Sequence, residues 1–135
     1  MSDSAGPPRA PYSLEPTPFP FPALASMAGS APLGGPREIA LACFLVARIA
    51  GDAADGAILT EEQRVERAES AKHWLGTASV PAPVKTALIR LAEASGLGDR
   101  NAMKSALDSV MTVTANQLDS GPRLELGRLA QAIAK

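Results

Sequence analysis

The side chains best suited to metal binding or nucleophilic catalysis are few. The chain of 135 residues has one histidine, His73, and one cysteine, Cys43. They fall on different predicted helices, so a zinc site would need several carboxylates to converge on them. Cys43 lies in an apolar run, so we expect it to be a small buried side chain. The sequence shows no nucleophile that would pair with His73 as its base, so we expect this histidine on the surface. We predict no catalytic residue, no cofactor and no metal.

Two glycine-containing segments superficially match ligand-binding loops. Residues 51–56 read GDAADG, but the first and third ligand positions of an EF-hand would then be Gly51 and Ala53, whose side chains carry no oxygen. Residues 96–98 read GLG, without the preceding strand or the lysine of a phosphate-binding loop. We therefore expect residues 51–56 to be a linker and residues 96–98 to end a helix.

The charge balance disfavours nucleic acid as a partner. The formal net charge is -1, and residues 37–135 carry twelve basic and twelve acidic side chains. No net positive field is then present to attract phosphates, and only a local patch of Arg64, Arg67 and Lys72 remains for them. The longest apolar stretch, residues 39–50, is interrupted by Arg48 and is shorter than the ~20 residues that cross a bilayer. We expect no membrane insertion and, without a secretory signal, a cytoplasmic protein.

Proline divides the chain into two parts. Nine of its 12 prolines lie in the first 36 residues. Such density removes backbone donors and disfavours helix, so we predict a disordered proline-rich tail at residues 1–35 and a folded domain at residues 36–135. Within the tail, Phe19 and Phe21 alternate with prolines and would present two aromatic anchors to a partner. The alternative is an inert linker.

The domain shows helical patterning throughout. We predict helices at 36–50, 61–75, 82–95 and 100–115, and a last one after the restart at residues 120–122. Thr60 and Gln63 match a capping box, Asp99 is a good N-cap, and Gly51 and Gly76 are expected to end the first two helices. The fold class is all-α: an antiparallel bundle of about five helices.

Two features of the predicted helices leave alternatives open. The first helix is apolar almost all round, which indicates either burial on several sides or a face for a partner. On the second helix Val65, Ala68, Lys72 and Leu75 recur at helical spacing as the inward stripe. Trp74, the domain's only indole, is either a core residue or an exposed anchor for a partner.

Four short motifs follow one another in the domain: Arg67-Ala68-x-x-Ala71-Lys72-x-Trp74-Leu75, Val80-Pro81-x-Pro83-Val84-Lys85, Asp99-x-x-x-Met103-x-x-x-Leu107 and Gly121-Pro122-x-Leu124. Their order resembles a helical domain found in the steroid receptor RNA activator protein and at the C-terminal end of the large outer-cage subunit of the COPII vesicle coat. A proline-rich region also precedes the domain in both. The resemblance implies a five-helix bundle without catalytic residues, used for coat assembly at the endoplasmic reticulum or in a ribonucleoprotein coregulator.

We therefore expect a non-enzymatic protein-interaction or scaffold module whose partner is a protein, with vesicle-coat or coregulator components implied by the resemblance. The partner-binding candidates are Phe19, Phe21 and Trp74. The resemblance adds the nucleus and the endoplasmic reticulum surface as alternative locations. Two other functions stay open: association with RNA, implied by the resemblance alone, and binding of a small molecule between helices.

Overall fold

The computed structural model describes residues 23, 26, 29, 35–54 and 59–134, and of residues 35 and 36 the backbone alone. This part of the chain forms five helices and no strand, as the all-α prediction requires. The helices are α1 (Gly35–Ala54), α2 (Glu61–Thr77), α3 (Ala82–Leu97), α4 (Arg100–Val113) and α5 (Ser120–Ala134). Most of the predicted tail lies outside the described residues.

Helix α1 is the central element of the core. Between Ile39 and Asp52 every residue except Leu41 is buried, so the apolar surface of this helix reflects burial on several sides. The prediction that the helix ends near Gly51 is wrong, because it continues to Ala54. Packing of the last turn outweighs the helix cost of glycine, which is about 1 kcal/mol. The predicted linker at 51–56 is therefore helical over residues 51–54.

Helix α2 begins where the sequence predicts. The Thr60 side chain accepts a hydrogen bond from the Gln63 amide at 3.1 Å, and the Thr60 amide donates to Gln63 Oε1 at 3.0 Å. The two bonds satisfy two amides that the first turn leaves without helical partners. Its end differs from the prediction, since Gly76 lies inside the helix, which continues to Thr77.

Two residues, Gly98 and Asp99, join α3 to α4. Gly98 adopts a left-handed conformation with φ 69°, which glycine alone adopts without strain, and its amide bonds the last turn of α3. Asp99 then caps α4 by accepting from the Ala102 amide at 3.1 Å. Helix α4 ends at Val113, two residues before the predicted end, where the buried Thr114 hydroxyl donates to the Val110 carbonyl at 2.7 Å.

Arg100, the first residue of α4, ties together the ends of two other helices. Its guanidinium donates to the Ala54 carbonyl at the end of α1 and to the Ile133 carbonyl near the end of α5, the latter at 3.1 Å. A cation at a helix C-terminus also complements the helix dipole. This contact gives a physical reason for α1 to end at Ala54.

Each helix packs against the one that follows it in the chain, from α1 to α5. Helix α1 also contacts α3 and α5. The core is aliphatic: its largest fully buried side chains are leucine, isoleucine, methionine and valine. Among residues 35–54 and 59–134, no helix combines the length and the apolarity needed to cross a membrane.

Candidate functional site

A surface groove runs between α2 and α3. Its volume is about 290 Å³, and its lining residues are Val65, Ala68, Glu69, Lys72, Glu93, Gly96 and Leu97. The first four lie on α2 and the last three on α3. We call it the α2–α3 groove. As the numbers rise along α2 from 65 to 72, their partners fall from 97 to 93, so the two helices are antiparallel.

The floor of the groove is set by two small residues. A Cβ placed on Gly96 would lie 2.9 Å from the Ala68 Cβ and 3.7 Å from the Arg64 carbonyl oxygen. Real Cβ atoms do not approach so closely, so the helices touch through glycine at this level. The close approach makes the groove shallow and leaves the longer neighbouring side chains as its walls.

The upper walls of the groove are aliphatic and exposed. Val65 is 44% exposed and Leu97 is 76% exposed. The prediction that Val65 belongs to the inward stripe is therefore wrong: Ala68 and Leu75 of that stripe are buried, whereas Val65 is directed to the groove. A pair of large apolar side chains on the walls of one concave surface is a feature of binding sites for apolar groups.

The other end of the groove carries a three-residue ion-pair cluster. Lys72 Nζ lies 2.9 Å from Glu69 Oε2 and 3.5 Å from Glu93 Oε2, so it bridges α2 and α3. The hydrogen bond that the Lys72 ammonium donates to the Glu69 carboxylate is the main cause that raises the pKa of Lys72 above its usual value, which favours the charged form. One cation thus serves two carboxylates, both of which are more than half exposed.

Arg64 lies beside the apolar end of the groove. Its guanidinium covers Gly98, with Nη2 3.2 Å from the position that a Cβ would take there. This places a cation at the C-terminus of α3, where the helix dipole is negative. The arginine therefore lies against the end of α3, at the residue that follows Leu97 in the sequence.

Of the partner-binding and reactive candidates singled out from the sequence, those that the structure describes do not line the groove. Phe19 and Phe21 lie outside the described residues. Trp74 is half-buried, packs against the core and does not line the groove. His73 is exposed, and Cys43 is buried as predicted; its burial raises the pKa of the thiol to about 12.

Two charged side chains are also buried in the core. Arg48 and Asp52, four residues apart on α1, are both buried. The Arg48 guanidinium carbon lies 5.7 Å from the centroid of the Phe44 ring, within cation–π range. Among the described residues, no group of three or more histidine, cysteine, aspartate or glutamate side chains is placed to hold a metal ion.

The groove was not anticipated from the sequence, although one signal was present. Lys72 interrupts the stripe of Val65, Ala68 and Leu75, and a cation in an apolar stripe indicates that the stripe reaches the surface. Leu97 falls off the inward face of α3, which is a second such signal. Which helix stands beside α2 is tertiary information that no local pattern contains.

No protein-family model, no curated protein sequence and no solved structure matches this chain.

Proposed function

We propose that the protein is a non-enzymatic helical module that binds a protein segment in the α2–α3 groove. The observation that carries this proposal is the exposure of Val65 and Leu97 on the walls of one groove. Full burial of a valine or leucine side chain contributes about 1.5–3 kcal/mol, and contact with a partner would recover the part of it that the present exposure of Val65 and Leu97 forgoes.

The composition of the groove suits a polypeptide. Apolar walls provide the contact area, and a flanking ion-pair cluster provides orientation, as in interfaces with an apolar centre and a polar rim. The groove is open along its length rather than closed around a ligand, and its volume of about 290 Å³ is at the lower limit for small-molecule pockets. A side chain that projects from a partner's helix or strand would fill it.

Other features add support without carrying the proposal. The resemblance of the domain to the helical module of a vesicle coat and an RNA-associated coregulator implies use in protein assembly. Phe19 and Phe21 would supply extended anchors beside the domain, and Trp74 has an exposed edge for a partner. RNA association has less support, since the domain carries equal numbers of basic and acidic side chains.

Affinity capture from extracts of the source cells tests the proposal. The immobilised proteins are wild type, Leu97→Asp, Val65→Asp and the control Ser105→Asp, which adds the same charge to an exposed position on α4. We expect a polypeptide that wild type and the control retain and that both groove variants lose. Equal recovery by all four proteins would contradict the proposal. A Phe19→Ala/Phe21→Ala variant tests separately whether the tail contributes.

A further inference from the structure

One large apolar side chain remains exposed elsewhere in the described part of the chain. Leu124 lies on α5 and is 70% exposed. Arg128, also exposed, follows four residues later and therefore projects from the same face of the helix. The face thus presents an aliphatic group and, one turn further on, a cation.

The α2–α3 groove has the same spacing with complementary chemistry. Val65 and Leu97 form its apolar level. Glu69 follows Val65 by four residues on α2, and Glu93 precedes Leu97 by four residues on the antiparallel α3. At 1.5 Å per residue, the acidic level lies about 6 Å from the apolar level. Leu124 and Arg128 are separated by the same rise of about 6 Å, so each would meet its complementary level.

The charges at the acidic level favour an incoming cation. Lys72 bridges Glu69 and Glu93, so these three side chains together carry one net negative charge. Both carboxylates are more than half exposed and have room for a second donor. The guanidinium of Arg128 would neutralise the cluster, and its planar donors suit carboxylate oxygens.

The surface of α5 also permits close approach. Gly127 lies three residues after Leu124 on the adjacent part of the same face. Apart from the helix's own neighbouring residues, no atom of the described part of the chain lies within 4 Å of the position that a Cβ would take at Gly127. A neighbouring helix can therefore approach the backbone of α5 here, as α2 approaches α3 through Gly96.

We propose that the α2–α3 groove binds helix α5 of a second copy of this chain. This inference rests on the proposed function and names the polypeptide that occupies the groove. Leu124 of one copy inserts between Val65 and Leu97 of the other, and Arg128 binds Glu69 and Glu93. The contact covers together the three large apolar side chains that are exposed in the described part of the chain. It joins two different surfaces, so it forms a closed dimer when made reciprocally and a chain otherwise.

Sedimentation of purified wild-type protein over a concentration series up to about 1 mM tests the proposal, since a contact of this size is at the weak end of protein interfaces. We expect reversible association that Leu97→Asp and Leu124→Asp each weaken at least about tenfold, whereas Ser105→Asp leaves it unchanged. Circular dichroism checks that each variant is folded. Arg128→Glu is a milder test because Arg128 is exposed, and it should weaken association. Combining it with Glu93→Arg, which exchanges the two charges, should restore association.

A mixing experiment identifies which surfaces meet. Leu97→Asp keeps an intact α5 and Leu124→Asp keeps an intact groove, so the two variants should associate with each other more strongly than either does with itself. Wild type that is monomeric throughout the series, or association that Leu124→Asp leaves unchanged, overturns the inference. If wild type is monomeric but captures another protein through Leu97, this inference fails and the proposed function stands.

Discussion

Ala68 and Gly96 bring α2 and α3 into contact at the floor of the groove, where a Cβ on Gly96 would lie 2.9 Å from the Ala68 Cβ. The neighbouring atom is a methyl group fixed to a helix backbone, which cannot rotate away. The depth of the groove and the separation of its walls therefore depend on the absence of a side chain at position 96.

Replacement of Gly96 by alanine should destabilise the fold. Overpacking costs about 1–3 kcal/mol, and the higher helix propensity of alanine offsets about 1 kcal/mol of it. We expect a net loss of up to about 2 kcal/mol in the free energy of unfolding, measured by urea denaturation. Adding Ala68→Gly to this variant restores the space, so the double variant should be more stable than the sum of the two single changes predicts.

Gly76→Ala is the matched control for this substitution. Gly76 lies on α2, and outside its own helical turn no atom of residues 35–54 or 59–134 lies within 4 Å of the position that a Cβ would take there. Its replacement should leave stability unchanged or raise it by up to about 1 kcal/mol. If Gly96→Ala and Gly76→Ala behave alike, the contact between α2 and α3 is not as close as described.

Arg100→Ala should also destabilise the fold. The substitution removes the donors to the Ala54 and Ile133 carbonyls at the ends of α1 and α5. Hydrogen bonds from charged donors contribute about 1.5–3 kcal/mol, and we expect a loss in that range. Lysine lacks the planar guanidinium that binds both carbonyls, so Arg100→Lys should retain only part of this stabilisation. The exposed Arg90, replaced by alanine, should change stability by less than about 0.5 kcal/mol.

Thr60→Ala should shorten α2 at its start. The substitution removes the acceptor of the Gln63 amide and one half of the capping box. Loss of an N-cap destabilises a helix by about 1 kcal/mol, whereas Thr60→Ser should retain nearly all of the stabilisation by the cap. Hydrogen exchange measures this directly: the Gln63 amide should exchange faster in the alanine variant than in the serine variant. Equal protection in both would show that the side chain does not cap the helix.

Burial of Cys43 predicts a dependence of stability on alkaline pH. The folded state raises the pKa of the thiol from 9.0 to about 12, so the neutral thiol is favoured by folding. In the unfolded chain the thiol ionises above pH 9, whereas in the folded protein it stays neutral up to about pH 12. The free energy of unfolding therefore falls as the pH rises from 9 to about 12, by up to about 1.4 kcal/mol per pH unit. Below pH 9 this contribution is fully present.

The comparison of wild type with Cys43→Ala isolates the effect. Between pH 8 and pH 10 the wild-type free energy of unfolding should fall by about 1 kcal/mol more than that of the variant. Disulfide-exchange reagents at pH 8 should label native Cys43 only as fast as the protein unfolds. Rapid labelling of the folded protein would place the thiol at the surface.

Local rules predicted the helices and the starts of α2, α3 and α4, two of which have side-chain caps. The capping box at Thr60 and the N-cap at Asp99 each involve residues only three apart, so the sequence contains the whole interaction. The positions of helix ends depend on more distant contacts. Helix α1 passes through Gly51 because its last turn is buried and Arg100 bonds the Ala54 carbonyl.

The groove was beyond local rules for the same reason. Its walls come from two helices, and its depth depends on the pairing of Ala68 with Gly96, which are 28 positions apart in the sequence. Helical spacing assigns Val65 to the inward stripe because spacing shows which residues share a face of α2. It does not show how much of that face α3 covers. The stripe is covered at Ala68 and open at Val65.

Site-specific photocrosslinking from position 97 tests the central claim most directly. A photoreactive amino acid replaces Leu97 in one protein and Ser105 in a second, and both are irradiated in the source cells. Occupation of the α2–α3 groove by a protein segment predicts a defined adduct from position 97, reduced by Val65→Asp and missing from position 105. If both positions give the same adducts, or position 97 gives none, the groove does not bind a protein.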